Sequence, residues 1–241
     1  MTDETRPEPL LPPARTGAPR GAGLAIVLDF DGTITDQDIG DKVVERFARA
    51  GWEEGVRRLA RGEWSVGKLQ RWEAARLPAD RLDEMVDFAL GIARLRPGLR
   101  ELVDFAGRSG IYIEVASAGF DFYVNAILER EGFADLRVVV PRFTSDEGRG
   151  AGGSPRLEFP PGVATCERVG LCKCDRLWRL QREGRRALFV GDGISDHCPA
   201  GEADFVFARG SLARYCTARG IRHAPYEDFT DVLARIVRLG G

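Results

Sequence analysis

The sequence has no apolar run approaching the about 18 consecutive residues that a membrane-spanning helix requires. It also lacks an excess of either charge, because 35 basic residues are balanced by 37 acidic ones and the net charge is -2. Proteins that bind nucleic acid usually present a strongly basic surface. We therefore expect neither a membrane nor nucleic acid as a partner, and a small molecule is the better expectation.

The start of the sequence lacks the basic stretch and apolar segment typical of a secretory signal. The five cysteines are an odd number, which does not suit complete pairing within one chain. These features predict reduced thiols and a cytoplasmic protein. Cys166, Cys172 and Cys174, with His197 further on, raise the question of zinc, but their spacing lacks a paired C-x2-C unit. Packing is the preferred interpretation, and whether these cysteines bind anything is left open.

Residues 1–22 carry five prolines among charged and small residues, with almost no apolar periodicity. A segment of this composition buries too little apolar surface to fold, so a disordered tail is predicted. Ordered structure is expected to begin at the apolar run from Leu24 to Leu28, which predicts a strand buried on both faces.

Predicted strands and helices alternate along most of the remaining chain. Further strands are predicted at Ile111 to Ala116, Leu136 to Val140, Ala187 to Val190 and Phe205 to Ala208. Helices are predicted at Pro97 to Arg108, Phe122 to Glu131 and Asp175 to Arg185. The alternation predicts an α/β fold, with a doubly wound parallel sheet built from residues 23–36 and 95–241.

The segment from residue 37 to residue 94 breaks the alternation, because it predicts several consecutive helices and no convincing strand. Its position directly after the first strand is most simply explained by a small helical cap domain over the carboxyl edge of the sheet. Asp38, Lys68 and Arg71 are the predicted substrate contacts from this cap. The Gly- and Pro-rich segment from Arg142 to Thr165 is interpreted as a flexible flap.

Polar residues lie near the predicted strand ends, where ligands bind in an open parallel sheet. Asp29 and Asp31 follow the first strand, Ser117 follows the second, and Asp192 follows the strand ending near residue 191. Lys173 precedes the helix that leads to that strand. We expect these side chains to converge on one site.

The carboxylates in this group are hard oxygen ligands that suit Mg²⁺ holding waters and a substrate phosphate. The cation would offset the repulsion between carboxylate and phosphate and leave Asp29 free to attack phosphorus. Asp31 would protonate the leaving alcohol and then activate the water that hydrolyses the aspartyl-phosphate. The predicted catalytic residues are Asp29 and Asp31, and the predicted metal ligands are Asp29, Asp31 and Asp192.

Phosphoryl transfer also requires fixed positive charge and hydrogen-bond donors around the phosphate oxygens. Ser117, the neighbouring Ala118 and the ammonium group of Lys173 are the predicted phosphate-binding residues. Asp196, at the end of the segment GDGISD, is predicted to bind the metal through water or to orient its ligands. The alternative is a helix N-terminal charge favoured by the helix dipole.

Four features together resemble the motifs of the haloacid dehalogenase superfamily: DFDGTIT from Asp29 to Thr35, a serine after the second strand, a lysine before the penultimate strand, and GDGISD. The helical insertion after the first motif is similar to the cap of the phosphoserine-phosphatase-like branch. This resemblance covers nearly everything after the tail. It implies that the backbone carbonyl of Asp31 joins Asp29 and Asp192 as a metal ligand.

The expected activity is hydrolysis of a small phosphorylated metabolite through an aspartyl-phosphate, with Mg²⁺ as cofactor. Within the branch, several segments resemble the phosphatases of methionine salvage: Val115 to Tyr123, Cys172-Lys173, Ala203 to Arg209 and Tyr226 to Phe229. This similarity implies an enol or ketose 1-phosphate as substrate. A phosphoserine phosphatase and a phosphotransferase are alternatives that use the same first step. A non-catalytic binding module is a remote alternative, since it would not require both carboxylates of the first motif. A monomer or a homodimer is expected.

Overall fold

The computed structural model describes residues 23–145 and 155–240, with the side chains of the last helix described up to residue 238. The predicted tail, residues 1–22, and the middle of the predicted flap lie outside these residues. Within the described part of the chain, no helix is both long and apolar enough to cross a membrane.

The described strands and helices are named here in chain order. The strands are β1 (Leu24–Leu28), β2 (Tyr112–Ala116), β3 (Arg137–Val139), β4 (Arg142–Thr144), β5 (Arg156–Glu158), β6 (Thr165–Cys166), β7 (Gly170–Leu171), β8 (Arg186–Gly191), β9 (Phe205–Ala208) and β10 (His223–Pro225). The α-helices are α1 (Ile39–Phe47), α2 (Glu53–Ala60), α3 (Val66–Ala74), α4 (Leu82–Ile92), α5 (Leu99–Arg108), α6 (Asp121–Arg130), α7 (Lys173–Arg182), α8 (His197–Glu202), α9 (Gly210–Arg219) and α10 (Phe229–Gly240).

A parallel six-stranded sheet with the order β10-β9-β8-β1-β2-β3 confirms the predicted fold class. The chain runs outward from β1 towards β3 on one side, and from β8 towards β10 on the other. The direction of strand addition therefore reverses between β1 and β8. Ligands of open α/β sheets bind in the crevice that such a reversal creates at the carboxyl ends of the strands.

Strand β1 is buried on both faces, as its uninterrupted apolar sequence predicts. Ile26 and Leu28 belong to the apolar cluster on one face, while Ala25 and Val27 belong to the cluster on the other. The edge strand β10 was not predicted, because its sequence is only three residues long and ends in a proline.

Helices α1 to α4 form the helical insertion, which leaves and re-enters the sheet layer at one place. Thr35 pairs with Leu95 in an isolated antiparallel bridge, and the Asp36 amide donates a hydrogen bond to the Arg94 carbonyl at 3.0 Å. Helix α1 begins after Asp38, whose carboxylate accepts a hydrogen bond from the Asp41 amide at 2.7 Å. The insertion is therefore anchored by two adjacent chain segments at the end of β1.

The described residues of the predicted flap form antiparallel pairs. Strand β4 pairs with β5, and the short strands β6 and β7 pair nearby. The loop between β6 and β7 is tied to the start of α3, because the Ser65 hydroxyl donates to the Glu167 carbonyl at 2.5 Å and the Gly67 amide donates to the Arg168 carbonyl at 3.1 Å. This loop therefore connects the helical insertion to the segment that leads into α7.

Candidate active site

A cavity of about 600 Å³ lies between the carboxyl ends of β1, β2 and β8 and the helical insertion. It is the place that the reversal of strand order predicts for a ligand. The predicted site residues that line it are Asp29, Asp31, Asp38, Ser117, Ala118 and Asp192. Lys173 and Asp196 do not line the cavity. Lys173 contacts both Asp29 and Asp196, as described below.

Asp29 directly extends β1, and its amide donates a hydrogen bond to the Val190 carbonyl of β8 at 2.9 Å. Its Oδ1 lies 2.6 Å from the Lys173 Nζ, which lies at the same distance from the Asp196 Oδ1. Lys173 is fully buried and is the first residue of α7, so the prediction that it precedes this helix was wrong, and the helix begins two residues before the predicted Asp175. Burial alone would lower the pKa of Lys173, but the charges of Asp196 and Asp29 hold it above its ordinary value. The site therefore contains a permanent ammonium group beside Asp29.

Asp192 and Asp196 come from the turn after β8. The Thr33 hydroxyl donates to the Asp192 Oδ1 at 3.1 Å. The Asp196 Oδ2 accepts hydrogen bonds from the amides of Asp192 at 2.9 Å and Gly193 at 3.1 Å. Since the other Asp196 oxygen accepts from Lys173, both of its oxygens are engaged within the protein. This geometry suits an orienting residue better than a direct metal ligand.

Carboxylate oxygens of Asp29, Asp192 and Asp196 lie within 4.8 Å of one another, and this is the one such group of metal-binding side chains among the described residues. Burial and the charge of Asp196 raise the pKa of Asp29 well above its ordinary value and that of Asp192 to about 6. Among the described residues, the Lys173 ammonium is the one cation that forms ion pairs with this acidic group, to Asp29 and Asp196. Hard oxygen donors with uncompensated negative charge fit Mg²⁺, which would bind to Asp29 and Asp192.

The Asp31 carboxylate is not a member of that acidic group and is held on the side of the helical insertion. Its Oδ2 accepts a hydrogen bond from the Tyr123 hydroxyl at 2.6 Å, and its Oδ1 accepts from the amides of Ile39 at 3.0 Å and Gly40 at 3.3 Å. Burial raises the pKa of Asp31 to about 6, although these hydrogen bonds partly oppose the shift. A carboxyl group with this pKa can exchange a proton near neutral pH.

Ser117 and Ala118 follow β2 at the edge of the cavity. The buried Ser117 Oγ accepts a hydrogen bond from the Gly119 amide at 2.9 Å. A Cβ atom at Gly119 would lie 2.7 Å from the Asp31 carboxylate and would collide with the Tyr123 hydroxyl. Glycine is therefore required at this position for the serine loop and Asp31 to approach each other.

The three predicted cap residues do not share one location. Asp38 lines the cavity. The Lys68 ammonium lies 4.8 Å from the centroid of the Trp64 ring, and the Arg71 guanidinium lies 5.5 Å from the centroid of the Phe159 ring. Neither cation lines the cavity.

Sequence reasoning missed several residues of the site. Thr33 lies within the first motif, where a hydroxyl next to two carboxylates was a usable signal. Tyr123, Gln70 and Glu73 also line the cavity. Tyr123 ends a segment that carries the family resemblance but was given no role, and no motif marks Gln70 or Glu73. The Gln70 side-chain amide donates to the Ala118 carbonyl and thereby joins α3 to the serine loop.

The buried Glu73 leads to a prediction about stability and pH. Burial and the charge of Asp41 raise its pKa to about 8, well above the value of about 4.3 expected in an unfolded chain. The folded state therefore binds the extra proton, and the stability due to Glu73 decreases as pH rises from about 4 to 8. Glu73→Gln lacks this loss of stability. The unfolding free energy of the variant minus that of wild type should therefore increase by a few kcal/mol from pH 5 to pH 8.5, at about 1.4 kcal/mol per pKa unit. Urea unfolding of both proteins at the two pH values measures this increase. The same variant-minus-wild-type unfolding free energy at pH 5 and pH 8.5 would contradict the prediction.

Comparison with known proteins agrees with this geometry. Residues 26–200 match the family model described as haloacid dehalogenase-like hydrolase. The 2-hydroxy-3-keto-5-methylthiopentenyl-1-phosphate phosphatase of Geobacillus thermodenitrificans (strain NG80-2) is 34% identical over 223 residues, covering 90% of this chain and 96% of that protein. The protein of the same name from Exiguobacterium sibiricum is 30% identical over 226 residues, covering 87% and 94%.

Solved structures show the same fold. A phosphoserine phosphatase structure described as a phospho-aspartyl intermediate analogue has a TM-score of 0.64 and 19% identity, covering 89% of this chain and 99% of that one. The probable phosphoserine phosphatase from Vibrio cholerae has a TM-score of 0.66 and 18% identity, covering 90% and 65%. The chain therefore belongs to the haloacid dehalogenase-like hydrolases, as its motifs predicted, and within that family it is a phosphatase.

Proposed function

We propose that this protein is a Mg²⁺-dependent phosphomonoester hydrolase that works through a phosphorylated Asp29. The observation that carries the proposal is the position of the Asp29 carboxylate, which faces the cavity, lies 2.6 Å from the buried Lys173 ammonium and belongs to the acidic group with Asp192. A nucleophilic carboxylate needs a fixed orientation and compensated charge to attack a phosphate dianion. Bound Mg²⁺ would supply the remaining positive charge and align the phosphate for in-line attack.

Asp29 attacks phosphorus through one carboxylate oxygen, and the bond from phosphorus to the ester oxygen breaks. Asp31 gives its proton to the departing alkoxide, for which a pKa of about 6 is suitable. The deprotonated Asp31 then removes a proton from water as that water attacks the phosphorus of the aspartyl-phosphate. The products are the alcohol, inorganic phosphate and regenerated Asp29.

Phosphate oxygens are bound by Ser117, the Ala118 amide and Lys173. The Ser117 hydroxyl lies at the end of β2, and the Lys173 ammonium is held by the carboxylates of Asp29 and Asp196. These donors are fixed before substrate binds, which favours charge stabilisation in the transition state. Asp196 contributes by holding Lys173 and the turn that carries Asp192.

We assign residues 23–36 and 95–241 to a catalytic core and residues 37–94 to a cap that closes over bound substrate. The contact between Gln70 of α3 and the Ala118 carbonyl supports this division, since it places the insertion directly against the phosphate-binding loop. Closure would exclude bulk water from the first step.

The proposed substrate is the ester named for the relatives, 2-hydroxy-3-keto-5-methylthiopentenyl 1-phosphate. The part of the cavity formed by the insertion has an apolar wall that suits an uncharged methylthio chain. This wall comprises Trp52, Val56, Leu59, Val66 and Leu69. A screen of phosphorylated metabolites that includes this ester, phosphoserine and p-nitrophenyl phosphate tests the assignment. Faster hydrolysis of phosphoserine than of the named ester would overturn it.

Removal of divalent metal should abolish activity. With EDTA in excess, we expect the release of p-nitrophenol from p-nitrophenyl phosphate to fall by roughly 100-fold or more, because the acidic group then repels the phosphate. Added Mg²⁺ should restore the rate, and the circular dichroism spectrum should stay the same throughout as a control for folding. An unchanged rate in EDTA would contradict the metal requirement.

A further inference from the structure

We propose that Glu73 is a specificity-determining residue that binds the organic half of the substrate as a neutral carboxyl group, donating a hydrogen bond to the keto oxygen and accepting one from the adjacent hydroxyl. This inference rests on the proposed function and extends it. The keto and hydroxyl groups are those in the name of the substrate of the curated relatives.

The first support is the position of Glu73. It lines the same cavity as Asp29 and Asp31, and the residue is only 7% exposed. Among the described residues, no hydrogen bond or ion pair within the protein involves its carboxyl group. The carboxyl oxygens are not among the fully enclosed polar atoms that lack a partner, so a molecule in the cavity can reach them. A carboxyl group that faces a cavity without a protein partner is available to bind a ligand there.

Helix α3 brings both Gln70 and Glu73 to the wall of the cavity. Gln70 lies on the same face, one turn earlier, and its amide contacts the carbonyl of Ala118 in the phosphate-binding loop. Three residues of helix advance by about 4.5 Å along the axis. Because Gln70 and Glu73 line the same cavity as Asp29, Glu73 lies on the wall available to the organic part of an ester whose phosphate is bound at that loop.

The surrounding charges indicate a neutral organic group. Asp38 and Asp41 line the cavity, Asp41 acts electrostatically on Glu73, and both aspartates would repel a substrate carboxylate. Lys42 is the one cation among the described lining residues, and its ammonium is about half exposed and pairs with Glu45 at 2.8 Å. Burial and the charge of Asp41 raise the pKa of Glu73 to about 8, which keeps its carboxyl group protonated at neutral pH.

The test compares Glu73→Leu and Glu73→Gln with wild type in the presence of Mg²⁺. Each protein is assayed on 2-hydroxy-3-keto-5-methylthiopentenyl 1-phosphate and on p-nitrophenyl phosphate, which has no keto or hydroxyl group beside the ester. Glu73→Leu should lower the ratio of kcat/KM for the first ester to that for the second by about 10- to 100-fold, mainly through KM. Glu73→Gln should keep this ratio within about fivefold of wild type, because an amide both donates and accepts.

Exposed Glu53 on α2 does not line the cavity, and Glu53→Gln serves as the matched control with an expected ratio equal to that of wild type. Thermal unfolding of each variant verifies that it is folded. An equal loss on both esters, or no loss on either, would overturn the role of Glu73 while the phosphatase proposal stands. A wild-type protein that hydrolyses only p-nitrophenyl phosphate would overturn the substrate and the role of Glu73 together. Inactivity of wild type on both esters would overturn the proposed function itself.

Discussion

Asp29→Asn should reduce phosphate release by at least about a thousandfold while the protein remains folded. An amide oxygen is a poor nucleophile and cannot carry the charge that activates the wild-type carboxylate. The variant should fold because Lys173 keeps its second partner, Asp196, at 2.6 Å. Exchanging a carboxylate whose pKa is raised by burial for a neutral amide also removes a desolvation cost. The rate of phosphate release under saturating p-nitrophenyl phosphate, together with a thermal unfolding curve, measures both expectations.

The exposed Asp36 offers a matched control for this variant in the same loop, since its side chain does not line the cavity. Asp36→Asn should keep a rate within about threefold of wild type. If Asp29→Asn retained a rate close to that of Asp36→Asn, Asp29 would not be the nucleophile. If Asp29→Asn were unfolded, its low rate would not test the role of Asp29 in the reaction. Asp29→Glu, which keeps the charge but moves the carboxylate by one methylene, would then be assayed in place of Asp29→Asn.

Glu114→Ala should destabilise the protein by about 3–5 kcal/mol, the usual cost of leaving one member of a buried ion pair without its partner. Glu114 is fully buried in β2, and Arg176 of α7 donates two hydrogen bonds of 2.8 Å to its carboxylate. The Tyr112 hydroxyl donates a third at 2.7 Å. Without Glu114 the guanidinium group, in a residue 2% exposed, loses its two charge-assisted bonds. The midpoint of thermal unfolding should fall by roughly 6–20 °C.

The double variant Glu114→Leu with Arg176→Met separates the cost of a broken pair from the net contribution of the intact one. It should recover most of the lost stability, because apolar residues often replace a buried ion pair with little net change. A double variant as unstable as Glu114→Ala would show that the pair stabilises the fold by its own net energy. A Glu114→Ala protein within 1 kcal/mol of wild type would contradict the prediction altogether.

The ion pair between Glu114 and Arg176 involves the helix that also carries Lys173. Lys173 is the first residue of α7, three residues before Arg176 on the same helix. The ion pair fixes α7 to β2 on the face of the sheet where Leu177 and Leu180 also pack. The contact that anchors the helix therefore also helps to position the Lys173 ammonium.

The residues at the centre of the candidate site could be predicted from the sequence because they follow apolar strands. A strand that is apolar throughout predicts burial in a parallel sheet, and its end predicts the edge at which ligands bind. Asp29 and Asp192 were placed in this way, and the structure brings them within 4.8 Å of each other. The two motifs follow the paired strands β1 and β8, and the match to the family model confirms the family resemblance.

The cavity residues of the helical insertion were harder to predict from the sequence. Helical periodicity shows which face of a helix is apolar but not which surface that face contacts. Lys68 and Arg71 were predicted to contact the substrate, yet both side chains lie against aromatic rings. Glu73 follows Trp72 on a helix with polar residues on several sides, so nothing in the sequence marks it as buried. Its environment depends on how α3 packs over the serine loop, which is a contact between segments more than 40 residues apart.

The most direct measurement of the central claim is mass spectrometry of the enzyme quenched in acid during turnover of p-nitrophenyl phosphate with Mg²⁺. The peptide that contains Asp29 should carry one phosphoryl group, and the same peptide from Asp29→Asn should carry none. Active wild-type enzyme with the phosphoryl group on a different residue, or with no phosphorylated peptide under conditions where the intermediate accumulates, would contradict Asp29 as the nucleophile.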